Sequence, residues 1–174
     1  MTDDLSYPVG RFDITAPLSD DMRAPAIDAL ATLPTRMRAA VDRLDPAQLD
    51  TPYRPGGWTV RQLVHHVADS HMNGFIRLKL GMTEDTPTIK PYDQDAWAAL
   101  PDARLPIDIS LGLLDGIHAR WTVVWRSLEP SAFSRTFTHP ELGRMTLDQQ
   151  LHLYAWHSRH HVAHITALRE REHW

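Results

Sequence analysis

Leu151-His152-Leu153-Tyr154-Ala155-Trp156-His157-Ser158-Arg159-His160-His161-Val162-Ala163-His164 holds five of the chain's eleven histidines in fourteen residues. Thr146 with Gln149 forms a capping box just upstream, so the spacing predicts a helix from there to about Arg171. On a helix, His157 and His161 lie one above the other, as do His160 and His164. Two imidazoles so placed can point at one ion; a polar helix face that happens to be rich in histidine is the plainer alternative. At 100° per residue, Leu147, Leu151, Tyr154, Val162, Ile165 and Leu168 cluster around one direction. His161 lies about 40° from it, His157 about 80°, His164 about 100° and His160 about 140°. The inner pair is therefore His157 with His161. His160 is expected to point outward, and His164 to border the site.

A second helix is marked just as clearly upstream. Thr59 with Gln62 makes a capping box, and Trp58 can staple onto Leu63. Val60, Leu63, Val64, Val67, His71, Phe75 and Leu78 supply an apolar stripe to about Leu80, with Thr86-Pro87 as the stop. His71 falls within this stripe, and His65 and His66 fall on opposite flanks. The spacing does not choose a ligand here and taken alone favours His71, although a buried His71 bonded to a neighbour accounts equally for that position. His118, on the next helix, is a further candidate.

Ser19-Asp20-Asp21 opens an earlier helical stretch, with Leu30, Leu33, Met37, Val41 and Leu44 as its buried side. Pro34 predicts a kink or break in it. Asp45-Pro46 and Thr51 to Gly57 read as turns. Thr88 to Ile109 is a long Pro-rich loop with a short helical turn around Asp93–Leu100, of the kind often functional or part of an interface. Ser110 is expected to cap a third helix through Leu113, Leu114, Ile117, Trp121, Val124, Trp125 and Leu128, stopped by Pro130. Phe133 to Gly143 is irregular, compatible with a small hairpin. Residues 1–18, with Pro8, Gly10 and Pro17, form an extended arm. Four amphipathic segments joined by unequal loops predict an all-α four-helix bundle, with residues 1–174 as a single domain.

Composition sets the outer bounds. At 174 residues and 43% hydrophobic, the chain suits one well-buried domain. A net charge of -4 gives no general attraction to nucleic acid or to an anionic membrane surface. No run reaches the length of a membrane span, and the N-terminus has no signal-peptide pattern. The absence of cysteine excludes disulfides, Cys-ligated zinc and a cysteine nucleophile, and points to the cytoplasm. There is no His-Glu-x-x-His, and the only Glu-x-x-His, at Glu170–His173, lies at the terminus. Zincin and di-iron designs are therefore set aside.

Several blocks together resemble the YfiT-type proteins of the DinB superfamily. They are Tyr7-Pro8-x-Gly10, Leu49 to Gln62, His65-His66-Val67-Ala68-Asp69-Ser70-His71-Met72-Asn73, Lys90-Pro91-Tyr92-Asp93, and Tyr154-Ala155-Trp156-His157-Ser158-x-His160-His161. The match covers nearly the whole chain. The resemblance implies a four-helix bundle, commonly a homodimer, with one divalent ion, zinc or nickel, on three histidines. Carried over by position, those are His66, His157 and His161; the choice of His66 rests on the resemblance alone. It implies metal-dependent hydrolysis, with thiol S-transfer using bacillithiol or a related thiol among relatives.

Three neutral imidazoles leave the ion's charge uncompensated and positions open, the mark of catalytic rather than structural metal. Such a site can activate water or hold a thiolate. A hydrolase acting on a small molecule is the first expectation, and a transferase of a low-molecular-weight thiol the alternative. A non-enzymatic metal- or ligand-binding stress protein is the third, with His71 or His164 completing a closed site. Asp69 and His164 are candidates for groups behind the ligands, Asp69 also as a base. Arg54 and Arg61 are candidate anion contacts, and Trp58 and Trp156 are expected in the core.

Overall fold

Local capping chemistry sets where the long helices begin. The structure, a computed structural model, describes residues 5–174, so the first four residues of the expected arm lie outside it. Its helices are α1 (Arg23–Val41), α2 (Pro46–Leu49), α3 (Val60–Thr83), α4 (Gln94–Ala98), α5 (Asp108–Arg126) and α6 (Leu147–Glu172). A two-stranded antiparallel hairpin, β1 (Thr136–His139) and β2 (Gly143–Thr146), leads into α6. Both expected capping boxes form. The Thr59 hydroxyl accepts from the Gln62 backbone N–H at 3.1 Å, and Gln62 Oε1 accepts from the Thr59 N–H at 3.0 Å. Thr146 and Gln149 repeat the pattern at 3.1 and 2.9 Å.

Four expectations are corrected. Ser110 does not cap α5, which starts at Asp108; its hydroxyl instead meets His65 Nδ1 at 2.7 Å. Asp45-Pro46 is no mere turn, because Asp45 and Gln48 form a third capping box that opens α2. The end of the second helix runs on to Thr83, past Leu80. Of the kink or break expected at Pro34, the break does not occur: α1 continues from Arg23 to Val41. Proline removes one hydrogen bond to the carbonyl four residues back, here Leu30. That carbonyl has another partner: His118 Nδ1 donates to it at 2.7 Å.

The bundle is formed by α1, α3, α5 and α6. Each packs closely on two others: α1 on α5 and α6, and α3 on α5 and α6. The helices therefore circle in the order α1, α5, α3, α6, and α1 and α3 sit on a diagonal. Consecutive bundle helices need not be neighbours, which the long connections at residues 42–59, 84–107 and 127–146 permit.

The core is divided along the bundle axis. One apolar cluster holds Leu30, Phe75, Leu78, Trp121, Trp125 and Leu151; the other holds Leu33, Met37, Leu63, Val67, Leu114 and Ile165. Between them on α3 comes His71, fully buried, and beside it His118 from α5, 2% exposed. A polar layer thus crosses the middle of an otherwise apolar interior. The N-terminal arm lies along α6, where Trp156 Nε1 donates to the Gly10 carbonyl at 3.0 Å and Gln149 Nε2 to that of Ile14 at 3.1 Å.

Candidate metal centre

Next to this layer, His66 of α3 meets His157 and His161 of α6. One ring nitrogen from each can be chosen so that all three lie within 4.8 Å of one another. His157 Nε2 and His161 Nε2 stand 3.1 Å apart. The His66 ring centroid is 5.4 Å from that of His157 and 5.0 Å from that of His161. Its other side rests on Trp58, with centroids 4.4 Å apart.

The hydrogen bonds behind the pair decide which nitrogens are free. A carbonyl only accepts, so His118 carries its proton on Nδ1, facing Leu30 O. His118 Nε2 is then an acceptor, and His71 Nδ1 donates to it at 3.0 Å. His71 Nε2 in turn accepts from His157 Nδ1 at 3.0 Å, leaving a lone pair on His157 Nε2. A second chain serves His161. His164 Nε2 donates to the Ser6 carbonyl at 3.2 Å, and its Nδ1 faces His161 Nδ1 at 3.4 Å. That leaves the His161 Nε2 lone pair turned toward His157. Two lone pairs 3.1 Å apart repel unless a cation sits between them. Two nitrogens at about 2.0–2.1 Å from one tetrahedral zinc lie about 3.3 Å apart, so the pair fits a shared ion.

Electrostatics keep the donors neutral. Burial lowers His66 to about 4, and neighbouring imidazoles add to burial in holding His71, His157 and His161 well below the usual histidine range. Burial likewise lowers His118 and His164 to about 4. Neutral imidazole is the form that binds metal.

The other expected residues divide. His160 does not point outward: it is buried, stacked on Trp156 at 4.4 Å, with the Tyr7 ring of the arm 5.8 Å away. The helical wheel missed this because the arm covers a face that the bundle leaves open. His160, His161 and His164 also bring nitrogens within 4.8 Å of one another, but both nitrogens of His164 are engaged in the chain from Ser6. Asp69 is half-buried and pushed up to about 6 by burial and by Asp102. Its carboxylate makes no hydrogen bond to a histidine among the described residues, so it does not stand behind a ligand. Arg61 pairs with Asp50 at 2.7 Å and faces away from the site. Arg54 does reach it: a surface cleft of about 580 Å³ is lined by His66, His157, His161, Arg54 and Arg11. Trp58 and Trp156, expected in the core, line this cleft instead. Sequence reading also missed the part played by Leu30, whose one signal was a proline four residues on in a helical stretch.

Comparison with known proteins agrees with this architecture. The DinB superfamily sequence profile matches residues 29–165. Two relatives, from Bacillus mycoides (strain KBAB4) and Bacillus cereus (strain B4264), are each named "Putative metal-dependent hydrolase". Each is 53% identical over 171 residues, covering 98% of this chain and 99% of the relative. The solved structure of YfiT from Bacillus subtilis is described as "a probable metal-dependent hydrolase with an unusual four-helix bundle topology". It superposes with a TM-score of 0.94 at 47% identity, over 98% of this chain and 99% of that one. The four-helix bundle protein TT2238 shares the fold, with a TM-score of 0.59 at 23% identity over 83% of this chain and 98% of that one. With the profile spanning most of the bundle and half the residues shared with full-length relatives, the chain belongs to the DinB superfamily.

Proposed function

We propose that this chain is a cytoplasmic, homodimeric metal-dependent hydrolase in which His66, His157 and His161 hold one zinc or nickel ion. The observation that carries the reading is the pair of Nε2 lone pairs 3.1 Å apart, each fixed from behind by a buried hydrogen-bond chain. When bound, the ion supplies Lewis-acid polarisation of a substrate oxygen and acidifies water. The chain's own residues do the rest. His71 and His164 orient the ligand rings, and Trp58 walls the cleft beside His66. Among the described residues, neither His71 nor His164 completes a four-ligand set, since His71 Nε2 is committed to His157 and His164 Nε2 to Ser6. That supports an open, reactive site over a closed structural one.

The second reading is transfer of a low-molecular-weight thiol. It is favoured by the breadth of the cleft and by the absence of any cysteine to compete for the ion. The test is one zinc- or nickel-loaded sample split between an ester panel without thiol and an electrophile panel with bacillithiol, each repeated with His161→Ala. Ester turnover lost in the variant supports hydrolysis. Turnover confined to the thiol panel selects transfer. A protein that retains no divalent ion after reconstitution removes both.

A further inference from the structure

Beside the cleft, on the other side of His157, lies a smaller cavity of about 270 Å³, and Gln94 lines both. Arg77 of α3 enters it. This guanidinium is half-buried and has no carboxylate partner among the described residues. Its Nη2 donates to the Lys90 carbonyl at 3.3 Å and it also reaches the Tyr154 hydroxyl, while its Nε is buried without a partner. An unpaired charge withdrawn from water is costly, and an unmet buried donor asks for an explanation.

The groups around Arg77 share one character. Tyr92, whose ring packs on Trp97 at 4.4 Å, brings a buried hydroxyl with no partner. Burial raises its pKa, so it stays a phenol and a donor. His139 Nδ1 accepts from the Glu141 and Leu142 backbone N–H groups at 3.2 and 3.4 Å. Its proton therefore sits on Nε2, and burial together with Arg77 keeps the ring neutral. The one acid in the wall is Glu141, which is exposed. A cation and two neutral donors thus line a cavity that His157 also lines.

We propose that this cavity is a carboxylate-binding subsite, in which Arg77, with Tyr92 and His139, holds an acid group of the substrate while its reacting group lies at the three histidines. The substrate class is then a small carboxylic acid carrying a second, metal-directed function. This rests on the metal reading above for the position of the reacting group, but not for the binding of the carboxylate.

The test uses two probes with the same metal-binding head, acetohydroxamate and succinohydroxamate (3-carboxypropanohydroxamate), titrated into zinc-loaded protein by calorimetry. The carboxylate probe is expected to bind roughly tenfold tighter, in line with a charge-assisted hydrogen bond. In Arg77→Gln that advantage disappears while acetohydroxamate affinity is retained, and in Tyr92→Phe it is reduced. Equal affinities in the parent protein, or an advantage that survives Arg77→Gln, overturns the proposal. If neither probe binds, the metal reading fails, and the subsite is judged by titrating succinate into metal-free protein. Saturable shifts of the Tyr92 and His139 resonances that are absent with succinamide and lost in Arg77→Gln uphold it; no saturation overturns it.

Discussion

His71 shows how a residue can matter to a metal site without touching the ion. Fully buried between two apolar clusters, it passes the orientation of the Leu30 carbonyl, through His118, to the ring of His157. Groups behind metal-binding histidines typically govern affinity by 10- to 100-fold. His71→Phe is therefore expected to weaken zinc binding by about that factor in chelator competition. His65→Phe is the control, because His65 is buried on the same helix but spends its nitrogens on Ser110 and the Leu105 carbonyl. Equal losses in the two variants would reduce His71 to a packing residue. At this scale the sequence was half legible. The i,i+4 spacing offered two pairs, the angle around the helix preferred His157 with His161, and the apolar stripe placed His71 inside. It could not separate His66 from His71, because that choice depends on which residue α6 presents across the bundle. Nor could it show that Pro34 leaves Leu30 O without a helical partner, a consequence visible only once His118 occupies it.

At the scale of the elements, α3 packs tightly on its neighbours at Gly74. A Cβ built there meets the Tyr154 ring and comes within 2.7 Å of Trp121 Cη2, while Gln150 Nε2 donates to the Gly74 carbonyl at 2.9 Å. Alanine in a helix gains up to about 1 kcal/mol over glycine, but forcing extra volume into a tight core costs about 1–3 kcal/mol. Gly74→Ala is thus expected to lower stability in urea denaturation by about 1–2 kcal/mol net, and to displace Tyr154 from its bond to the Ser70 carbonyl. A gain in stability would show that the rings can yield. The capping boxes at Thr59 and Thr146 made two helix starts legible, whereas the one at Asp45 reads as a turn because Pro46 follows it and the helix is only four residues long. The start of α5 was not legible, because Ser110 looks like a cap by type yet is drawn inside the helix, bonding to His65. The ring order of the helices was also hidden: connections this long allow either neighbours or diagonals.

For the whole molecule, assembly and acid response follow from what is left outside and what is kept inside. The large aromatic residues of α5, Trp121 and Trp125, are spent on the core. The exposed apolar side chains of that helix are Ile109, Leu113 and Val123, at 57%, 42% and 66% exposure, within about 80° of one another around its axis. If the proposed homodimer forms through this stripe, light scattering is expected to give twice the chain's 19.9 kDa, and Val123→Asp to shift it to monomer. A monomer across micromolar concentrations in the parent chain would refute it. The histidine layer makes the metal-free fold sensitive to acid. Burial lowers His118 from 6.5 to about 4, and lowers His66 and His164 similarly. Between those limits the unfolded chain binds more protons than the folded one, so stability falls as pH falls. For a buried group such as His118 the loss is about 1.4 kcal/mol per pH unit below 6.5, complete once the folded group also titrates. Asp69 acts in the opposite direction, since its raised carboxyl takes up a proton in the folded state first as pH falls through about 6. Several histidines stand against this one carboxyl. Urea midpoints of the metal-free protein are therefore expected to be level above pH 7 and to drop steeply from 6.5 toward 4, with a shallower drop in His118→Phe. A midpoint unchanged across that range would mean that water reaches the layer and that its imidazoles titrate as they do in the unfolded chain.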